Sequence, residues 1–218
     1  MFTKYFKPIL YLIIFSTSIS HSQDFEVNDR SVTAIFKIKN STKAQLFTEV
    51  NKWVATNYNS AKNVIDMKNK ESGTIIVKGI NDVNYTSKID TKGVYKTIQK
   101  QILDVNQFYH FIELNVKDNK MRVIYKITEP SNVDIGWNDI VFNVIKLNGV
   151  DQISMANFKN KIDEILKKGF SGKKKREIFK KKLDPFIEQV NQDILENIKV
   201  RILSIYSSVK TGREKDDW

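Results

Sequence analysis

QFYHFIELNVKDNKMRVIYKITEP, residues 107–130, is the stretch on which the fold turns. Two runs alternate apolar and polar side chains on either side of Asp118-Asn119-Lys120. A period of two sends Ile112, Leu114 and Val116 one way, and Met121, Val123, Tyr125 and Ile127 pair with them across a short polar loop. That is a long antiparallel hairpin. Pro130 has no amide to donate to a ladder, so it ends the second strand.

Working outward, SVTAIFKIKN (31–40) alternates in the same way, with Val32, Ala34, Phe36 and Ile38 on one face. Gln23 to Arg30 before it is polar and is expected to be a loose lead-in. Thr42 and Gln45 have capping-box spacing. Leu46, Phe47, Val50, Trp53 and Val54 then recur at helical intervals, which predicts an amphipathic helix of about four turns with Trp53 in the core. NVIDMK and TIIVKGI read as two further strands joined by the turn NKESG. VNYTSKIDTKGVYKTIQKQI (83–102) is ambiguous: its aromatic and β-branched residues suggest a strand or an irregular crossover, with a turn at Lys92-Gly93.

Beyond Pro130, SNVDIGWNDIVFNVIKLNGV has no clean period and is expected to be a structured loop with short extended pieces. DQISMANFKNKIDEILKKG predicts a helix with Met155, Phe158, Ile162, Ile165 and Leu166 inward and Gly169 just past its end. Asp184-Pro185 reads as an N-cap and first helical residue. Ile187, Val190, Ile194, Ile198, Ile202, Ile205 and Val209 then step by three or four, the mark of a long amphipathic helix. Strands first and helices clustered late give an α+β fold: one antiparallel sheet with helices on one face and a C-terminal helical extension.

The first residues address compartment. Lys4 and Lys7 form a basic leader, Ile9 to Phe15 is an unbroken apolar run, and Ser20-His21-Ser22 offers small residues at a cleavage site. The apolar run is far shorter than the roughly 20 residues that span a bilayer. Residues 1–22 are therefore expected to be a cleaved signal peptide, with Gln23 as the new N-terminus and a periplasmic or secreted product. The chain has no cysteine, which removes lipoprotein anchoring, disulfides and thiolate metal sites.

The net charge is +11. KKGFSGKKKREIFKKK (167–182) accounts for +8 of it, with Glu177 its single acid. Its Lys173, Lys174, Lys175, Arg176, Lys180, Lys181 and Lys182 are the candidates for contact with a polyanion, such as lipid phosphate or acidic glycan. The competing reading is a solvated helix face. Nucleic acid is disfavoured, because only Phe170 and Phe179 are there to stack on bases.

Catalytic chemistry finds little support. NKESGTIIVKG (69–79) has two glycines, but five residues separate them and no lysine follows Gly79, so it is not a phosphate-binding loop. It reads as a turn with Gly73 at a positive φ or a bulge, and Ile75 and Val77 toward the core or its edge. His110 is the only histidine outside the signal segment, so a serine–histidine–carboxylate set or a zinc site has too few members. It is expected to be a satisfied or surface strand histidine. Asp66, Glu71, Glu113 and Asp118 are carboxylates that could pair in space, though each reads as an ordinary solvated residue. No catalytic, metal or cofactor residue is assigned.

Trp53, Asn59-Ser60-Ala61, Val64-Ile65, Asp66, Lys70-Glu71-Ser72-Gly73 and Thr74 to Gly79 recur together, followed by the strong hairpin, over Val32 to Glu129. This pattern resembles the secreted domain-of-unknown-function family DUF4468. The resemblance implies a TATA-binding-protein-like (TBP-like) curved antiparallel sheet and an exported protein of Bacteroidetes-type bacteria. It implies no activity and hands over no site residues; nor does the fold name imply DNA binding. The organisation expected is a signal peptide (1–22), a DUF4468-like domain (23–130), and a loop with C-terminal helices (131–218) packed on that domain. The functional expectation is a non-enzymatic envelope protein, a binding or interaction module of unknown partner. The alternative is a scaffold that oligomerises through the long C-terminal helix.

Overall fold

A computed structural model describes residues 24–58, 60–90, 92–131, 135–169 and 172–215. The expected signal peptide lies outside them. The elements are β1 (Phe25–Val27), β2 (Ser31–Lys37), α1 (Lys43–Asn57), α2 (Ala61–Val64), β3 (Ile65–Asn69) and β4 (Thr74–Asp82), then α3 (Val94–Leu103), β5 (Gln107–Lys117), β6 (Lys120–Pro130), α4 (Ile135–Phe142), α5 (Gln152–Lys168) and α6 (Lys173–Lys215). The strands form one curved antiparallel sheet in the order β1-β2-β6-β5-β4-β3.

The hairpin 107–130 is the centre of that sheet. Leu114 lies opposite Val123, Ile112 opposite Tyr125 and Val116 opposite Met121, all buried. Its loop is tightened by Asn119, whose φ of 58° is one that asparagine tolerates. The turn before β4 behaves as its chemistry requires. Asn69 Oδ1 accepts from the Ser72 amide at 2.9 Å, and Gly73 has φ 73°. A Cβ at Gly73 would stand 2.3 Å from the Val116 carbonyl oxygen, so glycine is needed for space as well as for φ.

One face of the sheet is covered. Thr42 caps α1 with the reciprocal capping box formed with Gln45, and Leu46, Val50 and Val54 point inward. α6 lays Ile194, Ile198, Ile202, Ile205 and Val209 into the same core. Tyr206 stacks on Phe36 of β2 with ring centroids 4.3 Å apart. One hydrophobic cluster runs from Val32 to Val209, so the C-terminal helices pack on the sheet. Among the described residues no helix is long and apolar enough to cross a membrane.

Four expectations need correction. The lead-in contains β1, which pairs with β2 through Phe25↔Ala34; three residues are too few to show a period. The ambiguous segment ends in helix α3, whose Ile98 and Ile102 are buried one turn apart. The stretch after Pro130 holds helix α4; its end and the turn after it bury Val141, Phe142, Val144 and Ile145, and a segment apolar on most sides shows no period. Finally, α6 begins at Lys173 and runs through Pro185. Proline removes one helical hydrogen bond there, but Phe179, Leu183, Phe186 and Ile187 are buried on both sides of it and carry the helix through.

Candidate functional site

The uncovered face of the sheet is the first candidate. Alternation that buries one set of side chains must present the other. Met67, Ile80 and Tyr109 are exposed by 41%, 51% and 43%, an unusual amount for large apolar side chains gathered on one surface. Phe111 and Ile124, both half-buried, extend the same face along β5 and onto β6. Register places Ile80 beside Tyr109 and Ile76 beside Met67. The charges here are partly spent on each other: Lys78 meets Asp66 at 2.6 Å and Arg122 lies 3.7 Å from Glu113. Lys78 also sits 5.1 Å from the Phe111 ring centroid. At the hairpin end, Lys37 lies opposite Lys120, and Lys120 opposite Lys117. This row of three lysines across β2, β6 and β5 has no acidic partner among the described residues.

Directly beneath that face lies a polar knot. His110 is buried at 2% exposure and stacks on Tyr125 with centroids 5.0 Å apart. Its Nε2 lies 3.2 Å from the Tyr58 hydroxyl, and Gly79 leaves the room both rings need. His110 Nδ1, the Tyr125 hydroxyl and Trp53 Nε1 have no hydrogen-bond partner among the described residues. Burial, helped by the nearby Arg201 charge, pushes His110 down to about 4. The satisfied histidine expected from sequence is thus satisfied at one nitrogen only. It is neutral, enclosed and remote from solvent, which does not suit a general base.

The carboxylates do not converge. Asp66 and Glu113 pair with cations, Asp118 accepts from the Lys43 amide at 2.6 Å, and no metal-holding cluster of His, Cys, Asp or Glu exists among the described residues.

The seven basic candidates separate into three groups. Arg176 and Lys180 turn toward Asp163 of α5, at 3.0 and 3.9 Å, and the Lys167 and Arg176 hydrogen bonds hold that carboxyl below the usual range. They are structural. Lys173 and Lys174 lie exposed in the first turn of α6. Lys175, Lys181 and Lys182 line a cleft against the segment between β4 and α3. Its main chamber, about 700 Å³, is lined by Thr86, Lys88, Ile89, Asp90, Lys181, Lys182, Pro185, Phe186 and Gln189. An adjoining chamber of about 180 Å³ shares Asp90 and Lys182 and adds Lys92, Tyr95, Lys175, Ile178 and Phe179. The front wall is pinned by Asp193 of α6, which accepts from the Thr86 and Ser87 amides and hydroxyls at 2.8–3.2 Å. Burial raises the Asp193 carboxyl, but these donors outweigh it and bring the group below its ordinary value. Lys88 and Lys92 escaped sequence reading because they are single lysines in an irregular stretch, far in the chain from the basic run.

Nothing among curated proteins matches this chain. Two solved structures do: a TBP-like protein from Parabacteroides distasonis (16% identity, 44% of this chain and 53% of that one, TM-score 0.31) and a DUF4468 family protein from Bacteroides ovatus (16% identity, 45% and 53%, TM-score 0.33). The chain spans about half the length of each. The family model for the domain of unknown function DUF4468 with TBP-like fold matches residues 33–129. That match covers the sheet from β2 to β6 with the helices between its strands, which is the part of the chain similar to the DUF4468 family.

Proposed function

We propose that this is an exported, non-catalytic binding module that receives a protein partner on the uncovered face of its sheet. The observation that carries the reading is the placement of Met67, Ile80 and Tyr109, large side chains left exposed in register on one surface. Tyrosine and methionine are enriched at interface centres. The Lys37–Lys120–Lys117 row supplies the polarity of the partner. Like charges directly opposite one another destabilise a free sheet, and an acidic border on a docked partner relieves that repulsion. The leader 1–22 supports export, and the buried, half-partnered His110 supports a role without general-base chemistry.

The scaffold alternative has less support. The stripe that α6 would offer to a second copy is buried within its own chain, from Leu183 to Val209.

The test is retention of an envelope polypeptide by the mature protein, with a photoreactive group at Tyr109. The Ile80→Asp and Lys120→Glu variants should each lose the crosslink, whereas Ile153→Asp, at an exposed position of α5, should keep it. Equal crosslinking in all three variants would remove the sheet face from the interaction.

A further inference from the structure

We infer that the cleft between α6 and residues 86–90 with Lys92 is a binding site for an organic phosphate that carries at least two negative charges and an apolar or planar portion. It lies apart from the sheet face and does not depend on the reading of that face.

Composition of the walls argues first. Lys88, Lys92, Lys175, Lys181 and Lys182 face Asp90 as the one acid, a lining charge of +4. Among the described residues none of these five lysines meets a carboxylate. Lys182 donates to the Asp90 main-chain carbonyl at 3.2 Å, a neutral partner that leaves its charge uncompensated. The acids that could quench the basic run are engaged elsewhere: Asp163 with Arg176 and Lys167, Glu177 with Lys180, and Asp184 with Lys159. The chain therefore neutralises the cations of this run that hold α5 to α6 and leaves uncompensated those that face the cleft.

The type of cation selects the anion. Arginine binds planar carboxylates through its two-pronged guanidinium, whereas lysine acts as a point charge suited to phosphate. The one arginine of the run, Arg176, is committed to Asp163, so the cleft offers ammonium groups alone. Several of them around one chamber match a group with more than one negative charge.

The shape and floor select the rest of the ligand. About 700 Å³ is the size of small-molecule sites, which hold most of a ligand's surface. Its floor includes the buried Phe186 and Ile89, and the adjoining chamber is bounded by the Tyr95 and Phe179 rings, with centroids 4.9 Å apart. Ile178 stands at its edge, 50% exposed among lysines. A bare inorganic anion has no use for that surface. The walls are also fixed in advance, because Asp193 anchors Thr86 and Ser87 to the helix that bears the lysines, and a preorganised site loses less on binding.

The phosphate can come from a lipid headgroup or from a soluble sugar phosphate. Titration of the mature protein with adenosine 5′-monophosphate, a sugar phosphate that carries a planar base, and with phosphatidylcholine vesicles containing about a third phosphatidic acid, distinguishes these sources. Either probe should bind saturably at moderate salt. K181E/K182E, at two exposed positions, should weaken binding at least tenfold with an unchanged melting profile. K173E/K174E, outside the cleft, should change it less than twofold. Binding of neither probe overturns the inference. So does an equal loss in both double variants, or equally tight binding of a galacturonate oligomer, since each reduces the effect to general charge attraction.

Discussion

Lowering the pH from 7.5 to 4.5 should weaken this fold by about 2.5 kcal/mol through His110 alone. The imidazole is 2% exposed between the sheet and the helical layer. Burial, seconded by the Arg201 charge, lowers it from 6.5 to about 4. In the unfolded chain the ring takes a proton near pH 6.5, while in the folded one it resists until about pH 4. Between those values the unfolded state binds more protons, so stability rises with pH across that window. The contribution is complete above about pH 6.5, is lost as pH falls, and is exhausted below about pH 4. With 1.36 kcal/mol per pH unit, the full span is about 3 kcal/mol, of which about 2.5 is gone by pH 4.5. The assay is urea unfolding followed by tryptophan fluorescence at half-unit pH steps, run beside His110→Gln. The variant should be nearly flat over the same interval, because most carboxylates titrate below it. Beyond residue 22 His110 is the only histidine, so in a protein beginning at Gln23 its ring protons give an isolated NMR titration with a midpoint near 4. A midpoint near 6.5, or the same acid slope in His110→Gln, would refute the reasoning.

Two further outcomes test the architecture. Gly73→Ala should cost about 2–3 kcal/mol: roughly 1–2 for a left-handed alanine, and about 1 more if the Val116 amide loses the Gly73 carbonyl that it now meets at 2.8 Å. Gly172→Ala, where a Cβ meets nothing, should stay within about 0.5 kcal/mol by the same denaturant titration. Truncation after Asp184 should leave a body without a cooperative unfolding transition by circular dichroism. It removes Ile187, Val190, Ile194, Ile198, Ile202, Ile205 and Val209, all buried; at about 2 kcal/mol each, they exceed the net stability of a typical domain. A soluble, cooperative remainder would show that α6 is not the lid of the core.

What was legible in the sequence followed the strength of local signals. The hairpin, the capping box at Thr42 and Gln45, and the turn at Gly73 rest on residues a few positions apart, and each appears where its chemistry put it. The start of α6 misled because Asp184-Pro185 is a good local signal overruled by distant packing. Asp184 instead binds Lys159 of α5 at 2.6 Å, and Leu183 is wholly buried. The sheet face could be anticipated in kind, since alternation always presents one set of side chains, but not its openness, which depends on where α6 lies. The cleft was half legible: the lysines of the basic run were visible, whereas their division by Asp163 and the arrival of Lys88 and Lys92 are products of tertiary structure.

The stacking of Tyr206 on Phe36 also sets a timetable. β2 emerges early in synthesis, yet the ring that covers its end belongs to nearly the last turns of the final helix. Contacts of such separation fold slowly, because a long loop must close before they form. Until the last residues are available, the apolar side of the sheet is covered only in part, by α1, and the chain cannot complete its core. For a polypeptide exported as proposed, that delay would be an advantage, since premature folding would block the crossing. The same delay leaves a sticky surface open, so the nascent chain should depend on a holding chaperone until residue 209 is free.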